Sequence, residues 1–177
     1  EHPTIAERLK ELGYATCLAG KWHLSADVST PNDSWPTRRG FDEFAGILGG
    51  AGDYFSPRGL FEGEERQPVP DPASYYFTDA MTDGAIDFVG RAADAATPFF
   101  LYLAYTAPHW PLHAPERDVV PYESVYRAGW DELREQRVAR ARAEGVIGDE
   151  SALSERDPGQ PAWEDAPDRE WEARRMA

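Results

Sequence analysis

The chain has 177 residues, of which 41% are hydrophobic and 12% aromatic, a composition sufficient to bury the core of one globular domain. Its 32 acidic and 18 basic residues give a formal net charge of −14, which argues against a nucleic-acid or anionic-membrane surface, because such surfaces bind through lysine and arginine. No apolar run approaches the roughly 18 residues of a membrane span, and one cysteine allows neither an internal disulfide nor a cysteine-based zinc cluster.

A short helix is predicted at the start of the chain. Thr4 and Glu7 have the spacing of a capping box, and the apolar residues that follow recur on one helical face. Gly13 can adopt the left-handed conformation that ends a helix. We therefore predict a helix over residues 4–12.

A buried strand and a long loop region are expected next. Residues 14–19, YATCLA, are apolar, rich in strand-forming residues and too short for a second helix. The many prolines and glycines of residues 29–72 predict ordered loops with one brief strand near residues 41–47. Loops of this length in a compact domain usually carry function or line a site.

A second helix and a second buried strand are predicted in the middle of the chain. Thr78 is a suitable cap for a helix over residues 79–93, whose apolar positions share one face. The apolar run of residues 97–107, TPFFLYLAYTA, is typical of a central strand that is buried on both faces. This alternation of helices and strands predicts an α/β fold with parallel strands.

The last third of the sequence is more charged and predicts two further helices. Residues 130–144 predict an amphipathic helix, whose arginines we interpret as a solvated face with i, i+4 pairs. The segment SERDPGQPAWEDAP is predicted to be a loop. Asp168 is a suitable cap for a final helix after it.

One lysine and two histidines are the candidate functional residues. Lys21 and His23 follow the first predicted strand, and if that strand stays extended, both side chains project to one side while Trp22 packs on the other. His109 follows the second predicted strand in the same way, at the carboxyl edge where ligands bind in open α/β sheets. Such a pocket suits a tetrahedral oxyanion, because lysine contributes a compact charge with three donors and histidine can donate, accept or transfer a proton.

The same residue types also have structural interpretations. A lysine or histidine after a single strand is more often a surface or supporting group than a catalytic one. His109 and His113 have the spacing of a helical metal-binding pair, yet Pro111 lies between them, so we expect no helical zinc site. Cys17 lies inside the first predicted strand and is interpreted as a small buried thiol.

Two segments resemble signatures of the type I, formylglycine-dependent sulfatases. GKWHLS, residues 20–25, is similar to their G-K-W-H-L-G signature, and YTAPHWPLHAP, residues 105–115, to their A-P-H-x-P-L-x-x-P segment. Further segments, among them RGFDEFAGILGG and YYFTDAMTDGAIDFV, follow in the order of the family. The resemblance therefore covers nearly the whole chain, and it is nearest to the arylsulfatase branch.

The resemblance implies a fold, an activity and a role for each candidate residue. The fold is alkaline-phosphatase-like α/β, here as a partial sheet of parallel or mixed strands flanked by helices, and the activity is hydrolysis of sulfuric esters. By resemblance, Lys21 bridges the sulfate ester and the catalytic formylglycine, and His23 hydrogen-bonds the formylglycine and helps the sulfated intermediate to collapse. His109 binds a sulfate oxygen, and a divalent cation, usually calcium, is the cofactor.

The chain departs from the family pattern at the nucleophile and the metal site. The family nucleophile is a cysteine or serine in C/S-x-P-S-R, and neither Cys17 nor Ser56 lies in such a sequence. The family holds its cation with paired aspartates and an Asp-Asn pair, whereas Asn32 lies in a proline-flanked loop, so no metal ligand is assigned. We therefore expect residues 1–177 to be an internal segment of a sulfatase catalytic domain, inactive alone and marginally stable or self-associating.

Two alternative functions are compatible with the same residues. A phosphodiesterase or phosphonate hydrolase of the same superfamily would use a similar pocket for a tetrahedral anion. A non-catalytic anion-binding protein would keep the pocket without the nucleophile. The partner implied by the resemblance is a small-molecule sulfate ester, with neither nucleic acid nor a membrane.

Overall fold

The first helix begins where the sequence predicts it, because Thr4 caps it. In the computed structural model, which describes residues 2–177, Thr4 Oγ1 accepts a hydrogen bond from Glu7 N at 3.1 Å, and the Glu7 carboxylate accepts one from Thr4 N at 2.7 Å. Helix α1 spans Ile5–Glu11, and Gly13 follows it with a φ of +86°. The predicted capping box and the predicted end of the helix are therefore both confirmed.

The chain forms two units that divide after His113, and each is described by itself. In chain order the first unit contains α1, β1 (Ala15–Lys21), a 3₁₀ turn (Pro36–Arg38), β2 (Glu43–Ile47), β3 (Leu60–Glu62), β4 (Glu65–Arg66), α2 (Phe77–Asp94) and β5 (Phe99–Ala104). The second contains α3 (Glu116–Tyr126), α4 (Gly129–Ala143), a 3₁₀ turn (Trp163–Asp165) and α5 (Arg169–Met176). Within residues 2–177, no helix is both long and apolar enough to cross a bilayer.

The first unit is built on a mixed five-stranded sheet with the order β4-β3-β2-β1-β5. Strand β1 pairs in parallel with β2 on one side and with β5 on the other. The predicted parallel pairing of the two apolar strands is therefore confirmed. The antiparallel hairpin of β3 and β4 lies in the region predicted to be loop, because strands of two or three residues with exposed charges give no periodic signal.

Strand β5 is less buried than the sequence predicts. It occupies the edge of the described sheet, and Phe99 and Tyr102 are 41% and 47% exposed. The prediction of a central strand buried on both faces is wrong for the described residues, because β5 pairs with β1 alone and ends the sheet. An apolar run shows that a strand can be buried, and only the strand order shows which faces are covered.

Helix α2 begins two residues earlier than predicted and without a side-chain cap. Tyr76 occupies the cap position, and Phe77 N instead donates to Tyr54 O at 2.7 Å. Thr78 lies inside the first turn, where its buried hydroxyl has no hydrogen-bond partner among the described residues, so its predicted role as cap is wrong. The predicted apolar face is confirmed, since its four members are buried: Met81, Ala85, Phe88 and Ala92.

The larger of two buried clusters in the first unit lies between α1, the sheet and the loop of residues 24–41, and the smaller one includes Phe77 and Met81 of α2. The larger cluster includes Leu18, Trp22, Trp35 and Phe44. Aromatic rings within it meet edge to face, as Trp35 and Phe61 do at 5.1 Å between centroids. Burying these side chains supplies the main favourable free energy for folding this unit.

A buried hydroxyl ties β1 to the start of β2. Thr16 is fully buried; its Oγ1 lies 2.6 Å from Gly40 O and 2.9 Å from Asp42 Oδ2, and it accepts a hydrogen bond from Asp42 N. Partial burial raises the pKa of the Asp42 carboxyl, but hydrogen bonds from Lys10 and Thr16 outweigh it and hold that pKa below its usual value. The network aligns the amino ends of β1 and β2.

The second unit is helical. The predicted helix over 130–144 is confirmed as α4, and Asp168 Oδ1 caps α5 by accepting from Trp171 N at 3.1 Å. No helix is predicted at α3, because Pro121 lies inside it and disfavours a helical interpretation. Arg134 and Arg142 donate to the 151–154 loop rather than to carboxylates one turn away, so the predicted i, i+4 pairing is wrong for these two.

We predict that Thr16→Val lowers the free energy of unfolding by about 1–3 kcal/mol, because valine keeps the shape of threonine but removes the buried donor. Urea unfolding followed by tryptophan fluorescence measures this change. Thr97→Val is the matched control, since the Thr97 hydroxyl makes only a long 3.4 Å hydrogen bond to Ala95 O. An equal loss of stability in both variants would contradict the role of the Thr16 hydroxyl.

Candidate functional site

Lys21 ends β1, at the carboxyl edge of the sheet. Its Cα partner in β2 is Ile47, and the residue before it, Gly20, pairs with Ala104 at the end of β5. A Cβ on Gly20, whose φ is +122°, would lie 2.0 Å from Ala104 O. Only glycine permits this close approach, so the sequence Gly-Lys brings the lysine to the point where three strands end together.

The two residues after Lys21 remain bonded to β2 through their backbone. Trp22 N donates to Ile47 O at 2.9 Å, and His23 N donates to Leu48 O at 3.1 Å. Trp22 packs into the core, as predicted, and its Nε1 donates to Ser34 O. His23 has a φ of +58°, so the expectation that extended geometry continues through it is wrong. The left-handed conformation turns the chain at His23.

The ring of His23 lies against the loop that follows β2. A Cβ on Gly50 would lie 2.3 Å from His23 Nε2, whereas a Cβ on Gly49 would meet no atom within 4 Å. Gly50 therefore leaves the space that the imidazole occupies. The position of His23 depends on β2 and its loop, a contact between residues 27 apart that strand periodicity does not reveal.

His109 lies on the loop after β5, at the same edge of the sheet. Its backbone is held at both ends, because His109 N donates to Thr106 O at 2.8 Å and His109 O accepts from Tyr54 Oη at 2.9 Å. Tyr54 is only 2% exposed. The sequence therefore places His109 correctly at the carboxyl end of its strand, and the buried tyrosine that anchors it is found only in the structure.

The hydrogen bonding of His109 determines which ring nitrogen is available. His109 Nδ1 lies 2.7 Å from Trp110 O, and because a carbonyl oxygen can only accept, Nδ1 carries the hydrogen. Nε2 is then the nitrogen left for a ligand. It accepts a hydrogen bond when the ring is neutral and donates one when the ring is protonated.

His113 contacts an aspartate rather than a metal. Its Nδ1 lies 3.6 Å from Asp53 Oδ2, and Asp53 Oδ1 accepts from the backbone N–H groups of Phe55 and Ser56, both at 2.8 Å. Partial burial raises the pKa of Asp53, but these backbone hydrogen bonds and His113 outweigh it and hold the pKa below its usual value. His109 and His113 lie on a non-helical segment, so their i, i+4 spacing does not place them on one helical face.

The described residues do not fit a calcium site. Nowhere in residues 2–177 do three histidine, cysteine, aspartate or glutamate side chains come close enough to hold a metal ion. Asn32 organises its own loop, because its amide donates to the carbonyls of Asp27 and Thr30 and its Oδ1 accepts from Ser34. No cation ligand is therefore assigned among residues 2–177.

Cys17 is a buried thiol and not a nucleophile. It lies in the middle of β1 and is 5% exposed. Burial, reinforced by the negative charge of Glu43, raises the pKa of the thiol to about 12. The thiol is therefore protonated at neutral pH, and the interpretation of Cys17 as a structural residue is confirmed.

A cavity of about 480 Å³ opens at the carboxyl end of β2. We call it the β2 cavity. Its lining includes Ile47, Leu48, Gly49, Asp53, Arg58 and Arg66. A larger cavity of about 720 Å³ lies near Thr4, Arg39 and residues 24–34, and its lining includes neither Lys21 nor either candidate histidine. The lining of the β2 cavity also lacks these three side chains, but it contains Ile47 and Leu48, whose backbones pair with Lys21 and His23.

Comparison with known proteins identifies one family. A family model described as Sulfatase matches residues 1–156. An arylsulfatase of Klebsiella aerogenes is 34% identical over 182 residues, which cover 96% of this chain and 36% of that protein. The chain thus spans about a third of the length of this relative.

Solved structures share the fold. BT4656, determined in complex with its substrate D-glucosamine-2-N,6-O-disulfate, is 31% identical with a TM-score of 0.51, over 70% of this chain and 22% of that one. The PsFucS1 sulfatase from Pseudoalteromonas sp. is 20% identical with a TM-score of 0.54. The match covers 81% of this chain and 35% of that one. At that identity the likeness concerns the fold alone, and it confirms the predicted alkaline-phosphatase-like class of mixed sheet flanked by helices.

We predict that Cys17 of the folded chain does not react with a thiol reagent such as Ellman's reagent at neutral pH, because the thiol is both buried and protonated. In denaturing urea the same reagent is expected to modify one thiol per chain. Absorbance of the released thionitrobenzoate measures both reactions. Rapid modification without denaturant would show that β1 is not buried as described.

Proposed function

The chain belongs to the sulfatase family, and from this we propose that the full-length protein hydrolyses sulfate esters of small molecules. The observation that supports the proposal is the parallel pairing of β1 with β5, since Lys21 and His23 lie at the carboxyl end of β1 and His109 follows that of β5. A sulfate group is a tetrahedral oxyanion, and a lysine with two imidazoles supplies donors and a proton carrier for it. Neither the phosphodiesterase nor the non-catalytic alternative is favoured, since the family model and the Klebsiella relative are sulfatases.

We assign roles to the three residues by the family resemblance. Lys21 neutralises the sulfate ester and bridges it to the catalytic formylglycine, which is favoured by its place at the end of β1. His23 hydrogen-bonds the formylglycine and assists release of sulfate from the intermediate. His109 binds a sulfate oxygen through Nε2, the nitrogen left free by the bond of Nδ1 to Trp110 O, and it donates there in the protonated form of the ring.

The nucleophile and the cation are not assigned to this chain. Cys17 is buried with a raised thiol pKa, and no cluster of ligands lies within the part of the chain that the structure describes. We propose that residues 1–177 form an internal segment of the catalytic domain and that other segments of the full-length protein contribute both groups. A divalent cation in such a site would stabilise negative charge on the sulfate.

Self-association of the isolated segment stays a prediction. It is supported by the edge position of β5 and by the exposure of Phe99 and Tyr102 along it. An edge strand with exposed aromatic side chains is a template for pairing with another chain.

We predict that Lys21→Ala, His23→Ala and His109→Ala in the full-length protein each lower kcat/KM for para-nitrophenyl sulfate by about 100-fold or more, because each removes a donor to a developing charge or a proton carrier. Release of para-nitrophenol measures the rate. Lys10→Ala is the control, since Lys10 pairs with Asp42 at the opposite end of β1. A variant with normal turnover would remove the role assigned to that residue, and a wild-type protein that hydrolyses no sulfate ester would refute the proposed function.

We also predict that Gly50→Ala lowers kcat/KM by about tenfold or more while the melting temperature changes little, because the added methyl group displaces the imidazole of His23. Gly49→Ala is the matched control, since its methyl group enters open space. Kinetics and thermal unfolding of the two variants measure the effect. Equal activities of the two variants would show that His23 is not positioned by Gly50.

A further inference from the structure

Three cations of the first unit lack a carboxylate partner among the described residues. Residues 2–113 contain eight lysines and arginines. Five of them form ion pairs with carboxylates: Arg8, Lys10, Arg38, Arg39 and Arg91. The other three, Lys21, Arg58 and Arg66, have no carboxylate within ion-pair distance among the residues described. In a chain with a net charge of −14, this distribution indicates a site for an anion.

Arg58 and Arg66 both line the β2 cavity. The Arg66 guanidinium donates to Arg58 O at 2.7 Å, which links the hairpin of β3 and β4 to the segment that precedes β3. One N–H group of Arg66 is used in this bond, and four of its five donors remain. Neither guanidinium is neutralised, so the cavity presents two positive charges to a ligand.

The one carboxylate that lines the same cavity, Asp53, offsets only one of these two charges. Asp53 Oδ1 accepts hydrogen bonds from Phe55 N and Ser56 N, and Asp53 Oδ2 faces His113 Nδ1 at 3.6 Å. Both of its oxygens therefore have partners other than an arginine. The lining keeps an excess of positive charge.

Two residues that line the β2 cavity are backbone partners of the candidate residues. Ile47 of its lining is the Cα partner of Lys21, and Leu48 O accepts the hydrogen bond from His23 N. A sulfate ester held by Lys21 and His23 thus has the cavity beside it. A volume of about 480 Å³ lies within the range of small-molecule sites.

We propose that the β2 cavity receives the leaving group of the sulfate ester, and that Arg58 and Arg66 select leaving groups that carry a second anionic group, a sulfate or a carboxylate. The inference rests on the proposed sulfatase activity and narrows its substrate class. Guanidinium groups suit this task, because their planar donors match carboxylate and sulfate oxygens in pairs. Arg58 and Arg66 act in selection and take no part in bond breaking.

The test compares inhibitors that differ by one charge. In the full-length protein, galactose monosulfate, galactose disulfate and sulfated galacturonate are each tested as inhibitors of para-nitrophenyl sulfate hydrolysis. For each variant, the inhibition constant of each doubly charged inhibitor is divided by that of the monosulfate. Because each ratio is internal to one variant, it does not depend on the fraction of active protein. The variants are Arg58→Gln and Arg66→Gln, with Arg58→Lys and Arg66→Lys to restore charge and Arg8→Gln as a control away from the cavity.

We expect the wild type to bind at least one doubly charged inhibitor about tenfold or more tighter than the monosulfate, and the better of the two identifies sulfate or carboxylate as the preferred group. Each glutamine variant should reduce this preference about tenfold, each lysine variant should restore part of it, and Arg8→Gln should keep it. Equal inhibition in the wild type, or an unchanged preference in both glutamine variants, overturns the inference. Absence of para-nitrophenyl sulfate hydrolysis by the wild type refutes the proposed function instead, so the two failures are distinguishable.

Discussion

Parallel pairing of β1 with both of its neighbours is the constraint on which the candidate site depends. Because β2 and β5 run in the same direction as β1, the carboxyl ends of all three strands lie at one edge, and the residues that follow them meet there. Gly20 makes the pairing with β5 possible at the last position, since a side chain would collide with Ala104 O. The motif Gly-Lys therefore combines a packing requirement with a functional group.

The loop after β2 organises the site from the other side. Leu48 O accepts a hydrogen bond from His23 N. Gly50 has no side chain and so leaves room for the His23 ring. Tyr54 holds the carbonyl of His109, and Asp53 faces His113. This loop thus contacts residues that follow both β1 and β5, and its glycines allow the close approach. The expectation that the proline- and glycine-rich region carries function has a physical basis in these contacts.

Electrostatics distinguishes this edge from the rest of the first unit. Most cations of the first unit are neutralised by carboxylates, whereas Lys21, Arg58 and Arg66 are not paired among the described residues. Unpaired cations contribute little to stability, since they make no ion pair within the fold. They contribute instead a local positive potential, which attracts an anionic ligand despite the net charge of the protein.

The sequence by itself determined the elements whose signals are local. The capping box at Thr4 predicts α1, helical spacing predicts the buried face of α2, and the GKWHLS and APHWPL motifs identify the family. Tertiary structure alone decided the features that join distant segments. The left-handed turn at His23 and the anchoring of His109 by Tyr54 arise from such contacts, as does the edge position of β5. The physical reason is that periodicity and capping report interactions within a few residues, whereas strand order and ring positions depend on which distant segments pack against them.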